Sequence, residues 1–182
     1  LTFDDGPHPE ITSFILEQLE KYNAKATFFC IGENVANYPE MYERLITEGH
    51  AVGNHTQKHV NGWKTSTAEY LDDIAKAGQL IESTLFRPPY GRMKREQRKK
   101  LLSGETKMTI VMWNILAGDW DVTVDPEKCY ERMKRKIKPG DIIVFHDSEK
   151  AWERMSYSLP KILEVFSRIG YRFEKIEGFR EK

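Results

Sequence analysis

The chain has 182 residues, and its 28 Lys and Arg residues balance its 28 Asp and Glu residues to a formal net charge of zero. With no excess of either sign, no long-range field would attract nucleic acid or an anionic membrane, so we expect neither partner and no polyanionic substrate. The length favours one well-filled core, and hence a single domain over residues 1–182. No apolar stretch is long enough to cross a bilayer, so we expect no membrane segment in this chain.

Short apolar runs alternate with longer amphipathic runs along the chain. Because the first residue, Leu1, is not methionine and already lies in a predicted strand, we expect the natural N-terminus to lie further upstream. The predicted strands cover residues 1–3, 26–31, 51–53, 85–87, 108–113, 141–145 and 171–176.

Between these strands, apolar residues recur at helical spacing: Ile11, Phe14, Ile15 and Leu19, then Leu71, Ile74 and Ile81, and later Leu159, Ile162, Leu163, Phe166 and Ile169. Strands separated by helices need crossover connections, which favour a parallel sheet with the helices packed outside it. Seven such strands could close into a barrel, so the pattern predicts an α/β fold. Cys30 and Cys129 form no CxxC or Cys/His spacing, and we expect two unpaired thiols.

Polar motifs follow five of the predicted strands. In a parallel barrel, the loops that leave the C-terminal strand ends gather at one face, and we therefore expect all five motifs on one rim. Together they supply metal ligands, a spare carboxylate, a cation and an acid, which are the parts of a metal-assisted hydrolase. The motifs are Thr2-Phe3-Asp4-Asp5-Gly6, His55-Thr56-Gln57-Lys58-His59, Arg87-Pro88-Pro89-Tyr90-Gly91, Asp119-Trp120 and His146-Asp147.

The proposed metal ligands come from the first two motifs. Asp4 and Asp5 would point to opposite faces of a regular strand, but a bend at Gly6 could aim one carboxylate at a metal and the other at a water. An ordinary surface turn is the alternative. His55 and His59, at positions i and i+4, can meet one ion if the segment forms a helical turn, although a surface or packing role stays open.

The five motifs together resemble the polysaccharide deacetylases of the NodB-homology type, carbohydrate esterase family 4, over nearly the whole chain. This resemblance implies a distorted (β/α)7 TIM-like barrel in a single domain. It implies that Asp4 is the catalytic base and that Arg87 orients it, although a purely structural ion pair is the alternative. The metal ligands it implies are Asp5, His55 and His59.

The remaining roles also come from the resemblance. His146 would be the general acid and Asp119 its partner, while the backbone N–H of Tyr90 would help to bind the oxyanion. Trp120 would form one wall of an acetyl pocket. Val144 stands where the family usually has leucine, and one lost methylene should affect substrate preference more than activity.

The resemblance implies one divalent metal ion, with zinc expected first and cobalt, nickel or manganese left open. It implies an acetylated glycan as substrate: peptidoglycan, chitin oligomers, another N-acetylated glycan or O-acetylated xylan. It also suggests a location in the cell envelope or outside the cell.

Two other functions use the same residues. A non-haem iron oxygenase also binds its metal with two histidines and a carboxylate, but the extra Asp4, Arg87 and His146 argue against it. A glycan-binding barrel without catalysis is the second alternative. Trp63 and Trp152 could stack on sugars or plug the barrel end. The basic run 92–100 is interpreted as a solvated helix face.

Overall fold

The computed structural model describes residues 1–103 and 107–177, which form a distorted (β/α)7 barrel. All of the recorded strand pairs are parallel, and the order across the sheet is β5-β4-β3-β2-β1-β7-β6. The curled sheet therefore ends at β5 on one side and at β6 on the other. The strands are β1 (Thr2–Asp4), β2 (Thr27–Cys30), β3 (Ala51–Asn54), β4 (Leu85–Phe86), β5 (Thr109–Ile110), β6 (Ile115–Leu116) and β7 (Ile143–His146).

Helices connect the strands on the outside of the sheet. They are α1 (Pro9–Lys21), α2 (Gly32–Asn37), α3 (Pro39–Thr47), α4 (Thr67–Gly78), α5 (Arg95–Ser103), α6 (Pro126–Lys134) and α7 (Trp152–Arg168). The predicted apolar stripes lie in α1, α4 and α7, but Ile81 and Ile169 fall just beyond the helices to which we assigned them. The basic run is only partly helical, since α5 begins at Arg95 and leaves Arg92 outside it.

Local sequence accounts for where several helices begin. At α1, Pro9 occupies the first turn, where a missing N–H costs nothing, and Nδ1 of His8 accepts a hydrogen bond from the N–H of Ile11. At α4, Ser66 and Glu69 form a capping box, in which each side chain satisfies the other's backbone N–H. These caps place the helix starts directly after the loops that line the barrel mouth.

One predicted strand was wrong. Residues 171–176 are not assigned to the sheet, and they are tied to it by single hydrogen bonds, from Lys25 N to Phe173 O (2.8 Å) and from Ile176 N to Thr27 Oγ1 (2.8 Å). The seventh strand is instead β6, which is two residues long and too short to show an alternating pattern. The predicted number of strands is therefore correct, but one member differs.

The core between the sheet and its outer helices contains an aromatic cluster. Phe3 on β1 stacks against Phe28 on β2, with ring centroids 5.0 Å apart, and against Phe145 on β7 at 5.9 Å. All three side chains are buried, and α7 covers the same core with Leu159 and Leu163. Burial of each large side chain contributes roughly 1.5–3 kcal/mol, so this cluster fixes the strands whose ends carry Asp4 and His146.

Cys30 and Cys129 are both buried and free, as predicted. Burial raises the pKa of Cys129 to about 11, so it remains a neutral thiol. None of the helices within residues 1–103 and 107–177 has the length and apolar character that a bilayer crossing requires.

Candidate active site

One cavity of about 510 Å³ lies at the C-terminal ends of the strands. Eight of the ten predicted site residues line it, and the other two, Arg87 and Asp119, are buried and contact Asp4 and His146 respectively. The motifs therefore meet at one rim, as their positions after the strands predicted. The eight lining residues are Asp4, Asp5, His55, His59, Tyr90, Trp120, Val144 and His146.

Three side chains form a cluster with the composition of a metal site. Oδ1 of Asp5 lies 3.3 Å from Nε2 of His59 and 3.7 Å from Nε2 of His55. The three possible ligand atoms lie within 4.8 Å of one another. Zinc is held by imidazole nitrogen and carboxylate oxygen at about 2.0–2.2 Å, so donors at these separations can share one ion.

The hydrogen bonds around the cluster support this interpretation. Nδ1 of His55 lies 2.7 Å from the carbonyl oxygen of Arg87, which can only accept, so in the neutral ring Nδ1 carries the proton and Nε2 is the acceptor that faces Asp5. Oδ1 of Asp5 is buried and has no hydrogen-bond partner within the described residues. Two acceptor atoms therefore face each other, and a cation between them satisfies both.

Burial lowers the pKa of His59, and the neighbouring His55 lowers it further against the opposing charge of Asp5. A neutral imidazole is the form that binds a metal ion. The ring of His59 also packs against Tyr90, with centroids 4.6 Å apart, which restricts its rotation.

The helical turn that would have allowed His55 and His59 to meet one ion is not formed. The segment is a loop in which Thr56 (φ 68°) and His59 (φ 53°) are left-handed. Its backbone is held by side chains: Oδ1 of Asn54 accepts from Thr56 N at 2.8 Å, and Oδ2 of Asp73 accepts from Gln57 N at 2.7 Å. The two imidazoles therefore converge through loop geometry instead of helical spacing.

Left-handed backbone is concentrated at this site. Of the five non-glycine residues with positive φ in the described chain, four lie in the site loops: Asp5, Thr56, His59 and Tyr90. Such conformations are sparsely populated, and each costs on the order of 1–3 kcal/mol unless the surroundings impose it. These four residues are therefore oriented at a cost in folding stability.

Asp4 is held by a buried cation. Nη1 of Arg87 donates to Oδ1 of Asp4 and to Oγ1 of Thr2, both at 2.7 Å, and Nε donates to the carbonyl of Val111 at 3.1 Å. The guanidinium also lies 4.1 Å from the ring centroid of Phe29. Because Arg87 is fully buried and bound on several sides, it fixes the position of the carboxylate.

His146 is paired with Asp119 and is the register partner of Asp4 on the adjacent strand. Oδ1 of Asp119 lies 2.8 Å from Nδ1 of His146, and Oδ2 accepts from the backbone N–H of the same residue at 2.8 Å. Burial opposes protonation of His146, but the charge and hydrogen bond of Asp119, with Asp5 and Asp4 adding to them, raise its pKa from 6.5 to about 9. His146 is therefore cationic near neutral pH.

Asp147 connects the loop after β1 to β7. Its Oδ1 accepts from Gly6 N at 2.7 Å and its Oδ2 accepts from the hydroxyl of Thr12 at 2.8 Å. Gly6 must be glycine because a Cβ there would overlap the Asp147 carboxylate. Burial raises the pKa of Asp147 to about 7. This carboxylate faces the helix and the turn and not the cavity.

Tyr90, Trp120 and Val144, which the resemblance assigns to substrate binding, all line the cavity. Val144 is fully buried in β7 and forms part of the cavity floor, whereas the side chains of Tyr90 and Trp120 are exposed at the rim. Trp63 lies beside a neighbouring cavity instead, and Trp152 packs edge-on against Phe14. Both are exposed at the surface, so neither plugs the barrel end.

Two buried charged residues that the sequence did not identify hold parts of the site in position. Arg154 on α7 is buried, and its Nε donates to the carbonyl of Asp119 at 2.8 Å. Asp73 on α4 holds the loop between the histidines. Each is a charged residue that falls on the buried stripe of its helix, since Arg154 precedes Ser158 by four residues and Asp73 precedes Ala77 by four. That placement is a signal that could have identified both.

The family model described as polysaccharide deacetylase matches residues 1–108. A peptidoglycan-N-acetylglucosamine deacetylase of Bacillus cereus is 34% identical over 95% of this chain and 64% of its own length. A peptidoglycan-N-acetylmuramic acid deacetylase of Bacillus subtilis is 32% identical over 100% of this chain and 38% of its own length. The chain thus spans less than two thirds of these two relatives. A chitooligosaccharide deacetylase of Bradyrhizobium is 34% identical over 86% of this chain and 73% of its own length.

Solved structures show the same fold. A peptidoglycan deacetylase of Bacillus subtilis superimposes with a TM-score of 0.85 at 32% identity, over 96% of this chain and 85% of that one. A family 4 carbohydrate esterase pseudoenzyme of Bacillus anthracis superimposes with a TM-score of 0.81 at 28% identity, over 96% of this chain and 62% of that one. Structural likeness alone therefore does not separate active from inactive relatives.

Proposed function

The chain belongs to the polysaccharide deacetylase family, the NodB-homology proteins of carbohydrate esterase family 4, and we propose that it removes N-acetyl groups from a cell-wall glycan. The products would be acetate and a free amino sugar. The observation that carries this proposal is the convergence of Asp5, His55 and His59 in one cavity with Asp4 and His146.

Asp5, His55 and His59 would hold one divalent ion, with zinc as our first candidate because two imidazoles and a carboxylate suit it. When bound, such an ion supplies a Lewis acid that acidifies water and polarises a carbonyl. The buried, unpartnered Oδ1 of Asp5 and the bare Nε2 of His55 support this assignment. Cobalt, nickel and manganese are outcomes of the same test.

The chain's own residues would move the protons. Asp4, held in place by Arg87, would accept a proton from the attacking water. The backbone N–H of Tyr90 would donate to the negative charge that develops on the acetyl carbonyl oxygen, a contribution often worth about 3 kcal/mol. His146, cationic beside Asp119, would protonate the departing amine of the sugar.

We propose peptidoglycan as the glycan and the cell envelope as the location. Two of the relatives described above carry names that specify peptidoglycan, and one carries a name that specifies chitooligosaccharides. Val144 leaves the cavity floor one methylene shorter than leucine would, which should admit an acetyl group with less discrimination. Chitin oligomers and O-acetylated xylan are therefore the comparison substrates.

The alternative of a glycan-binding barrel without catalysis is favoured by the likeness to the Bacillus anthracis pseudoenzyme. In this chain, however, every predicted catalytic position is occupied by a group with suitable chemistry. The iron oxygenase alternative is set aside because the chain belongs to a deacetylase family.

Acetate release from a panel of acetylated glycans tests the proposal, with the protein stripped by chelator and then reloaded with each metal. We expect Asp4→Asn to abolish acetate release while metal content stays near that of the wild type, and His55→Ala to lose both. His8→Ala, outside the cavity, is the matched control. Glycan binding without acetate release under any metal would establish the inactive barrel instead.

A further inference from the structure

Two cationic side chains line the candidate active site without an assigned role. Arg92 follows the turn after β4, and Lys150 follows β7. In the sheet, β4 and β7 are separated by β3, β2 and β1, so the two loops reach the cavity mouth from different sides. Both side chains are exposed to solvent.

Each cation is supported by an indole ring. The guanidinium of Arg92 lies 4.8 Å from the ring centroid of Trp63, and Nζ of Lys150 lies 5.8 Å from that of Trp120. Nε1 of Trp63 donates to the carbonyl of Met93 at 3.1 Å, which fixes the indole although it is 59% exposed. A cation–π contact orients a positive charge without neutralising it.

Among the described residues, neither Arg92 nor Lys150 forms an ion pair with the carboxylates that lie near the mouth of the cavity. Within the part of the chain that the structure describes, neither cation has a carboxylate oxygen within 4.0 Å. Asp4 pairs with Arg87, and Asp5 faces the two imidazoles. Asp121, next to Trp120, accepts two hydrogen bonds from Thr123 on Oδ1, and it attracts Lys150 only from beyond ion-pair distance. Two positive charges therefore remain available at the mouth of a chain whose total charge is zero.

We propose that Arg92 and Lys150 bind carboxylates of the glycan, so that the preferred substrate is an N-acetylated glycan that bears acidic substituents. This inference rests on the proposed function and refines its substrate. We expected no polyanionic substrate from the sequence, because a chain of zero net charge has no long-range field to attract one. Two local cations need no such field, since they recognise individual carboxylates over a few ångströms.

Two matched tetrasaccharides test the inference. One alternates N-acetylglucosamine with N-acetylmuramic acid, and the other is the same compound with each lactyl carboxylate converted to a methyl amide. For the zinc-loaded wild-type protein, we expect kcat/KM to favour the acidic compound by roughly tenfold at low salt, since each exposed ion contact is worth about a threefold effect. The preference should shrink in about 0.5 M salt because exposed charges are screened.

Variants assign the preference to the two cations. Arg92→Gln and Lys150→Gln should each reduce the acidic preference about threefold, and Arg92→Lys should restore part of it by returning the charge. Lys99→Gln, an exposed lysine on α5, is the matched control and should leave the preference intact. Loss of the preference in the control would show a general charge effect and overturn the assignment.

The experiment distinguishes a failure of the carboxylate inference from a failure of the proposed deacetylase function. Equal rates for both tetrasaccharides would overturn the carboxylate inference and leave deacetylation standing. If neither compound releases acetate, the proposed function fails, and calorimetric binding then decides the inference on its own. Tighter binding of the acidic compound, weakened in Arg92→Gln, would support it, and equal affinities would refute it.

Discussion

Replacing Asp119 by asparagine should move the alkaline limit of activity, because the pKa of His146 depends on this carboxylate. Burial opposes the charged form of His146, and Asp119 reverses that effect through its charge and hydrogen bond to raise the pKa from 6.5 to about 9. A divalent cation would offset the smaller contributions of Asp5 and Asp4 and leave Asp119 as the principal cause.

The geometry makes asparagine a poor substitute. Both carboxylate oxygens of Asp119 accept, one from the backbone N–H of His146 and one from Nδ1. An amide has only one oxygen, so its NH₂ group would face Nδ1 and select the neutral ring. Without the Asp119 carboxylate, burial leaves the pKa of His146 at 6.5 or below, so the protonated fraction at about pH 8 falls from roughly 90% to roughly 3% or less, a loss of at least about 30-fold.

The assay compares pH profiles of kcat/KM for an N-acetyl sugar and for an activated aryl acetate. For the amide substrate, we expect the alkaline limb to move down by at least about 2.5 pH units, from about 9 to 6.5 or below. The ester should lose much less, since its leaving group needs no proton. Asp121→Asn, at an exposed carboxylate two residues away, is the control. An unchanged alkaline limb for the amide, or equal losses on both substrates, would refute the acid role of His146.

Three further predictions concern stability. Gly6→Ala should lower the free energy of unfolding in denaturant by about 1–3 kcal/mol, because the added Cβ overlaps the Asp147 carboxylate, and a wild-type value would contradict this. The pKa of Asp147 is raised from 3.8 to about 7, chiefly by burial, so the folded state binds its proton more tightly than the unfolded state does. The contribution of protonated Asp147 to the free energy of unfolding is therefore complete below about pH 4 and is lost as the pH rises through about 7. Asp147→Asn should not show this loss of stability with rising pH. If the stability curves of the variant and the wild type run parallel from pH 4 to 8, the raised pKa is refuted. Arg87→Ala leaves Asp4 buried without its partner and should cost about 3–5 kcal/mol in denaturant unfolding, with only partial recovery in Arg87→Lys; a cost below about 1 kcal/mol would show that the pair is solvated.

The sequence was informative where side-chain chemistry follows a regular strand. Phe3 is buried in the core and is followed by Asp4, so the strand end that carries a functional carboxylate could be located from alternation alone. The same holds for Phe145 and His146. Placement of the motifs after parallel strands then brought them to one rim without any knowledge of loop structure.

The loops and the last strand could not be predicted in this way. Thr56 is β-branched, a residue type that rarely adopts left-handed backbone, so nothing in the sequence indicated the strained loop that packing imposes between the two histidines. The β-like composition of residues 171–176 suggested a strand, whereas the two-residue β6 pairs with β7 through tertiary contacts that leave no local pattern.

Residues in the left-handed loops and residues at the cavity mouth should differ in how well they tolerate substitution. Asp5, His59 and Tyr90 hold conformations that their neighbours must enforce, so almost any replacement around them disturbs the reaction centre. Arg92 and Lys150 project from turns that are already formed, and exchanging them leaves the backbone untouched. Surface substitutions at the cavity mouth can therefore change which polymer the protein binds. A single substitution in the strained loops, by contrast, is enough to leave a protein that binds carbohydrate without hydrolysing it.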